Sequence, residues 1–363
     1  MEPWLSVWPA LRPDAWVRRP ADSLPFPFDS RECRIYAFAR QGLSAALEQF
    51  GIGEGDELLV PAYHHGSEIG TLRLAGVRPR WYDTTDSLAP DPDELEAALG
   101  PRVRGLYLIH NLGFAHDCPR WRRWCDERGL LLFEDVAMAW PGRFEGKPLG
   151  SWADVAIFSP WKTFGLPDSG ALICGRPPAQ VPFGGGVRPG EILSRHVRWL
   201  AQRSSPIGTF HPRAHDDSHF DSDWEFESGY RTAAPSRTSM NLLRRLIDMP
   251  VVEPRRANAA RLESSIPQRR PAPFLDLAES CPFAYPIESA SKSELLDELA
   301  RHNVHALDIW SVPHPLLPVD RFPGSARLRT RVVGLPVHQE LRSSHVDHMI
   351  EVLRSCHERG IGA

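Results

Sequence analysis

The chain has 363 residues, with 42 Lys and Arg against 46 Asp and Glu, a net charge of −4. This balance lacks the basic footprint of a nucleic-acid-binding protein, and no apolar run approaches the ~18 residues of a membrane span. The N-terminus lacks a signal peptide's basic start and apolar core, and the six cysteines include no Cys-x-x-Cys pair. We therefore expect a cytoplasmic protein with reduced thiols and no metal, nucleic-acid or membrane partner.

Hydrophobic periodicity predicts alternating helices and strands after an irregular, Pro- and Trp-rich arm at residues 1–30. Leu43, Ala46, Leu47 and Phe50 follow helical spacing from Gln41, and Gly51 ends the helix. Ser67 is expected to cap a helix running to Gly76, Asp91 with Glu94 forms a predicted capping box, and a further helix spans 119–128. The intervening buried strands are predicted in the segments ELLVP, RPRWYD, RGLYLIH, LLLFED, DVAIFS and GALIC.

This alternation predicts an α/β fold with a mostly parallel sheet covered by helices on both faces. His110, Asp135 and Ser159 each follow a strand, and parallel strands present their carboxyl ends at one edge, where such folds bind ligands. We therefore expect these three residues to share one site.

The pattern becomes irregular at 177–235, where Gly, Pro, Ser, His and Asp dominate. A segment this long is either functional or partly mobile. Further predicted helices and short strands follow it, ending in a helix near 344–356. About 150 residues per domain predicts two domains. We place a large domain with its arm and insert at 1–240 and a smaller C-terminal α+β domain at 241–363.

Lysine occurs only at Lys147, Lys162 and Lys292, so 39 of the 42 cationic residues are arginine. Arginine cannot become a neutral amine nucleophile. Lys147 lies in a polar turn and Lys292 near a helix start, but Lys162 follows a buried strand and is flanked by aromatic residues. Partial desolvation there would lower the pKa of its amine.

Asp135 lies 27 residues before Lys162, directly after another buried strand. A carboxylate at a strand end, combined with a Schiff-base lysine, is the arrangement that pyridoxal phosphate chemistry needs, because the acid keeps the pyridine nitrogen protonated. A surface lysine and a helix-capping aspartate would give the same spacing. The spacing alone leaves both interpretations open.

The order of seven segments resolves that choice. These segments are, in chain order, ALEQFGIGEGDELLVPAY, AGVRPRWYD, LIHNLGF, LLFEDVAMAW, GKPLGSWADVAIFS, the Lys162 segment and GLPVHQEL. In this order they resemble the DegT/DnrJ/StrS-type sugar aminotransferases, which are fold-type I pyridoxal-phosphate enzymes. The resemblance runs from about Phe38 to the C-terminus and is clearest over 38–175, whereas 177–235 do not match securely.

The resemblance implies a role for each matching position. Lys162 falls on the Schiff-base lysine, Asp135 on the partner of the pyridine nitrogen, Ser159 on a phosphate-binding serine and His65 on the aromatic residue that stacks on the cofactor ring. The family's Ser-Gly-Thr phosphate loop is replaced by Phe38-Ala39-Arg40. That helix start still offers amides and a dipole to a phosphate, and Arg40 and Gln41 are expected to add side-chain donors.

The chain departs from the family pattern at two positions. Met138 replaces a glutamine that contacts the cofactor's phenolic oxygen, so the cofactor's electronic tuning is expected to differ. Arg231, in Gly-Tyr-Arg, replaces an asparagine that reaches the partner subunit's phosphate, and an arginine can make that contact bidentately.

The resemblance implies a homodimeric aminotransferase with a shared active site. A glutamate-like donor would supply the amino group, and the acceptor would be a nucleotide-linked keto-sugar or a related cyclic ketone in saccharide or natural-product biosynthesis. Arg188, Arg195, Arg198 and Arg203 are candidate contacts for a nucleotide diphosphate. The alternatives are a pyridoxal-phosphate lyase or dehydratase and a cofactor-binding protein without turnover. Related sugar dehydratases carry histidine in place of the lysine, so Lys162 favours amino transfer.

Overall fold

The computed structural model describes residues 3–84, 88–184, 187–203, 234–266 and 277–362. Apolar runs bounded by Gly, Pro and Asp form the strands, as the periodicity predicts. The strands are β1 (Leu5–Ser6), β2 (Cys33–Tyr36), β3 (Glu57–Pro61), β4 (Arg78–Tyr82), β5 (Val103–Ile109), β6 (Leu131–Asp135), β7 (Arg143–Phe144), β8 (Lys147–Pro148), β9 (Val155–Phe158), β10 (Gly170–Cys174), β11 (Ala284–Glu288), β12 (Val304–His305), β13 (Leu307–Asp308) and β14 (Val332–Pro336).

Helices alternate with these strands, and several begin at a capping side chain. Asp91 accepts hydrogen bonds from the amides of Asp93 and Glu94, and Ser236 accepts one from Ser239. These contacts satisfy amide groups that a helix start otherwise leaves unpaired. The helices are α1 (Ala39–Gln49), α2 (Ser67–Leu74), α3 (Pro92–Ala97), α4 (Cys118–Asp126), α5 (Trp161–Phe164), α6 (Pro189–Ala201), α7 (Arg237–Leu246), α8 (Val252–Ser265), α9 (Lys292–Arg301), α10 (Pro323–Arg331) and α11 (Ser343–Glu358).

The main sheet has seven strands in the order β2-β10-β9-β6-β5-β3-β4, and only β10 runs antiparallel to its neighbours. The chain adds β4 on one side of β3 and then crosses to add β5 on the other. A reversal of this kind opens a crevice at the carboxyl ends of the strands, where α/β folds bind ligands. The predicted α/β fold with a mostly parallel sheet is confirmed.

Both faces of the main sheet are buried under helices. Tyr107, Phe133 and Ile157 belong to a core that α1 and α2 cover, whereas Leu106 and Leu132 pack with α4 on the opposite face. This burial explains why the strands are continuous apolar runs rather than alternating ones.

The C-terminal part contains a second, antiparallel sheet in the order β11-β14-β13. Its core includes Tyr285, Leu335 and Leu353. In the N-terminal arm, β1 pairs with β12, and Leu11 is fully buried, so the arm packs on the body as expected. The boundary between domains at residue 240 stays a prediction.

Two local predictions are wrong. Residues 189–201, inside the segment expected to be irregular, form α6, which begins at Pro189 and carries a Glu191–Arg195 ion pair of 2.9 Å one turn apart. Ser67 is the first residue of α2 rather than its cap, and the helix ends at Leu74. The Glu68 carboxylate instead accepts the amides of His65 and Gly66.

Candidate functional site

The carboxyl ends of β3, β6 and β9 bring most of the predicted site residues to one edge of the main sheet. His65 follows β3, Asp135 ends β6, and Ser159 and Lys162 follow β9. The start of α1 lies beside β10 at this same edge. The described part of the chain contains no helix long and apolar enough to cross a membrane, and all six cysteines are free thiols.

Lys162 lies in the one-turn helix α5 and is half-buried. Its backbone amide donates to the carbonyl of Ser159 at 2.9 Å, which fixes the turn directly after the strand. Its Nζ lies 5.8 Å from the centre of the Trp161 ring. Trp161 in turn stacks on Trp8 of the N-terminal arm, with ring centres 5.5 Å apart and planes 7° from parallel. The arm therefore helps to hold the turn that carries the lysine.

Asp135 has a hydrogen-bond donor on each carboxylate oxygen. The hydroxyl of Tyr107 donates to Oδ2 at 2.8 Å, and the amide of Ala137 donates to Oδ1 at 2.9 Å. These bonds fix the orientation of the carboxylate. Tyr107 was not predicted as a site residue, although a tyrosine in an otherwise aliphatic strand was the available signal, because a buried hydroxyl requires a partner.

His65 lies where positive side chains from two other elements approach it. Burial lowers the pKa of His65 to about 3, and the charges of Lys162 and Arg40 add to this effect. With its pKa lowered in this way, His65 is neutral at physiological pH. The adjacent His64 is buried and stacks on Trp81 with ring centres 5.0 Å apart, so the two histidines have separate environments.

Glu68, the second residue of α2, is hydrogen-bonded to the loop that carries His65. Its carboxylate accepts the amides of His65 at 3.1 Å and Gly66 at 3.2 Å. Burial raises the pKa of Glu68 to about 7, and the negative charge of Asp135 contributes to the shift. Sequence reasoning did not identify Glu68 as part of this site. The available signal was the position of this glutamate in the first turn of a helix, directly after Ser67, the residue that we expected to be the cap.

The loop before α2 is also attached to the C-terminal part of the chain. Arg329 of α10 is buried and donates to the carbonyls of Ala62 at 2.7 Å and Trp310 at 2.5 Å, with a further bond to His64 at 3.4 Å. These bonds join the C-terminal part to the loop that carries His65.

The start of α1 is the candidate phosphate site, built from Ala39, Arg40 and Gln41. The first amides of a helix have no partner within the helix and attract anions. A Cβ added to Gly170 would lie 2.3 Å from the carbonyl carbon of Phe38 and 2.5 Å from the amide of Ala39, so only glycine permits this approach. The Gln41 Oε1 atom accepts a hydrogen bond from the Phe38 amide at 2.9 Å. The Gln41 side chain therefore caps the helix start, whereas we expected it to act as a donor.

The remaining predicted positions differ in what the structure shows of them. Ser159 is buried beside Pro160. Met138 is half-buried and packs on the core under the sheet edge. Arg231 lies outside the described residues.

The expectation that His110 shares the site with Asp135 is wrong. Its ring hydrogen-bonds to Glu134 at 3.2 Å, and successive strand residues point to opposite faces of a sheet. Cys118 lies 3.6 Å from Glu134 and 3.9 Å from His110, forming a buried group of potential metal ligands that sequence reasoning missed.

Hydrogen bonds link this group to the surrounding chain, while the Glu134 Oε1 atom is buried with no hydrogen-bond partner among the described residues. The His116 amide donates to His110 Nδ1 at 3.2 Å, so in the neutral ring Nε2 carries the proton and donates to Glu134. The Gly150 amide donates to the same carboxylate at 2.7 Å. Burial and the Glu134 charge raise the pKa of the Cys118 thiol. The group therefore connects β5, β6 and α4.

Three of the four arginines proposed for a nucleotide, Arg195, Arg198 and Arg203, contact other groups within the protein. Arg195 donates to the carbonyls of Gly165 and Pro167, just after the lysine turn. Arg203 pairs with the buried Glu340 at 2.7 Å. Arg198 lies 5.9 Å from the Trp4 ring centre, and Arg188 is the residue before α6.

Comparisons with known proteins confirm the resemblance. Residues 36–177 match the profile of the DegT/DnrJ/EryC1/StrS aminotransferase family. Over 139 residues, which are 37% of each chain, the sequence is 34% identical to the dTDP-3-amino-3,4,6-trideoxy-alpha-D-glucose transaminase of Streptomyces venezuelae. It is 33% identical to the L-glutamine:2-deoxy-scyllo-inosose aminotransferase of Streptomyces kanamyceticus over 118 residues, which are 32% of this chain and 28% of that one. The chain thus spans about a third of the length of these curated relatives in the aligned segments.

Structural similarity extends over more of the chain. The crystal structure of S. venezuelae DesV in complex with a ketimine intermediate superimposes with a TM-score of 0.67 and 23% identity. The match covers 90% of this chain and 85% of DesV, which establishes a common fold.

Proposed function

We propose that this chain, whose residues 36–177 match the profile of the DegT/DnrJ/EryC1/StrS aminotransferase family, is a pyridoxal-phosphate-dependent aminotransferase. The observation that carries the proposal is the arrangement at the sheet edge. A half-buried lysine follows β9, and an oriented carboxylate ends the neighbouring strand β6. These are the two groups that the cofactor's chemistry requires from a protein.

The residues present fit this cofactor. Lys162 supplies the amine, and Asp135 supplies an anion with both oxygens already oriented by protein donors. His65, kept neutral by its surroundings, supplies an uncharged aromatic ring. The start of α1 with Arg40, and the Ser159 hydroxyl, provide positive potential and donors for a phosphate. When bound, pyridoxal phosphate withdraws electrons from the α-carbon of an amino acid.

Lys162 has two roles in this proposal. Its amine would hold the cofactor covalently, and when released it would move a proton to and from the substrate carbon. The α5 turn holds Lys162 close to the strand end, beside Trp161, which stacks on Trp8 of the arm. Asp135 would hold a proton on the cofactor's pyridine nitrogen.

The proposed substrates are a glutamate-like amino donor and a keto-sugar linked to a nucleotide, or a related cyclic ketone. The names of the two curated relatives support both acceptor classes, since one is a dTDP-sugar transaminase and the other acts on an inosose. Arg195 and Arg203 are committed to internal partners, which makes them weaker candidates for contacts with a diphosphate.

The proposal includes a homodimer in which Arg231 reaches the partner subunit's phosphate site, and a cytoplasmic location. Mixed dimers test the sharing. Subunits carrying Lys162→Ala and subunits carrying Arg231→Ala should each be inactive alone but regain activity when mixed, because one site in each mixed dimer is intact. Absence of complementation, or an active monomer in sedimentation, would contradict this part.

Cofactor trapping tests the proposed lysine. The protein is reconstituted with pyridoxal phosphate, reduced with borohydride and mapped by mass spectrometry. We expect the adduct on Lys162. The exposed Lys147 lies over Trp152 at 4.3 Å, so Lys147→Ala is a matched control that should leave the adduct unchanged. An adduct on Lys147 or Lys292, or none after saturation, would refute the proposed site.

A further inference from the structure

We propose that Tyr107 is a positioning residue for the cofactor's pyridine nitrogen and acts on it through Asp135. The inference rests on the proposed function, because it concerns how strongly this chain recognises the nitrogen atom of the same cofactor. It adds a residue of β5 to a site whose predicted members come from other elements.

The geometry of neighbouring strands carries the inference. β5 and β6 are parallel neighbours in which Tyr107 pairs with Phe133 and Ile109 pairs with Asp135. Tyr107 and Asp135 therefore lie on the same face, displaced by two residues along the ladder. The buried Tyr107 side chain spans that displacement, and its hydroxyl reaches Asp135 Oδ2 at 2.8 Å.

The charges around Tyr107 keep its hydroxyl a donor. Burial raises the pKa of Tyr107 well above its usual value, and the negative charges of Asp135 and of Glu68, from α2, raise it further. Positive groups near this sheet edge include Lys162 and Arg40, which act on His65, and the buried Arg329, which interacts with Glu68. A phenol in this setting keeps its proton at physiological pH, so its bond to Asp135 has a fixed direction.

This donor has a specific consequence for Asp135. A carboxylate has about four lone-pair positions, and the Tyr107 hydroxyl and the Ala137 amide use one on each oxygen. The torsion that turns a carboxylate is broad and soft when nothing holds it. With both oxygens held, the remaining lone pairs keep one orientation toward a protonated ring nitrogen. Removal of the hydroxyl should therefore weaken recognition of the nitrogen and spare recognition of the ring and phosphate.

Two ligands that differ only at the pyridine nitrogen test this consequence. Dissociation constants are measured for pyridoxal phosphate and for its 1-deaza analogue, in which a C–H group replaces the pyridine nitrogen. We expect Tyr107→Phe to weaken pyridoxal phosphate binding on the order of 10-fold, the scale of one hydrogen bond to a charged group. Binding of the analogue should change less than about 2-fold. In an Asp135→Asn background, Tyr107→Phe should no longer discriminate between the two ligands.

Tyr82→Phe is the matched control, because Tyr82 is also buried and its hydroxyl donates to the Tyr107 carbonyl at 3.0 Å rather than to Asp135. It should leave the ratio of the two affinities unchanged. Equal weakening of both ligands by Tyr107→Phe, or the same ratio change in Tyr82→Phe, would assign Tyr107 a merely structural role. A wild-type protein that forms the Lys162 adduct but binds both ligands equally would overturn this inference alone. A wild-type protein that binds neither would overturn the proposed function as well.

Discussion

Replacement of Glu68 by glutamine should change how the stability of the apo protein depends on pH. Glu68 is 5% exposed, and burial raises its pKa from 4.5 to about 7. A pKa shift of this size corresponds to about 3 kcal/mol of unfolding free energy, at about 1.4 kcal/mol per pKa unit. The folded state binds this proton more tightly than the unfolded state. The contribution of Glu68 to the free energy of unfolding is therefore fully present below pH 4.5 and is lost as the pH rises through about 7.

Urea unfolding of the wild type and Glu68→Gln between pH 4.5 and 7.5 measures this contribution. Glutamine does not ionise and keeps one acceptor oxygen, for either the His65 or the Gly66 amide. Loss of the other bond lowers the stability of the variant by an amount that does not depend on pH. We expect the unfolding free energy of the wild type, relative to the variant, to fall by about 3 kcal/mol across that interval. Glu351→Gln, at an exposed position of α11, should reproduce the wild-type pH dependence. A constant difference between wild type and Glu68→Gln would refute the interpretation of Glu68 as a buried carboxyl that resists ionisation.

Two further predictions concern the cofactor site. Gly170→Ala should cost about 1–3 kcal/mol of stability and weaken cofactor binding, because the added methyl displaces the start of α1. Gly175→Ala, in open space just beyond the same strand, is its control in thermal unfolding and cofactor titration, and equal behaviour of the two would contradict the argument. Asp135→Asn should retain some cofactor but lose turnover by orders of magnitude, since the pyridine nitrogen loses its anion. Near-normal kcat in this variant would mean that Asp135 only caps its turn.

The sequence predicts the order of strands and helices well where local physics decides it. Buried parallel strands require continuous apolar runs, and Asp91 caps α3 as its side-chain chemistry suggests. Residues 189–201 were missed because Pro, Gly and Arg around them obscured the helical spacing of α6.

Contacts between elements were harder to predict than the elements themselves. The position of His110 suggested a place beside Asp135, but the side-chain alternation of β6 sends Glu134, its partner, to the opposite face. Tyr107 and Glu68 enter the site through the strand register and the packing of α2, and neither is encoded by local spacing. The identity of Lys162 and Asp135 as candidates came from residue chemistry together with family resemblance.

The half-reaction with an amino donor tests the central claim most directly. Protein reconstituted with pyridoxal phosphate is mixed with glutamate, without any acceptor, and the bound cofactor is then released and identified. We predict stoichiometric conversion to pyridoxamine phosphate with formation of 2-oxoglutarate, and no conversion in Lys162→Arg, which keeps the charge but lacks a usable amine. A wild-type protein that binds the cofactor at Lys162 but leaves it as pyridoxal phosphate with glutamate, glutamine and other amino donors would contradict the aminotransferase assignment.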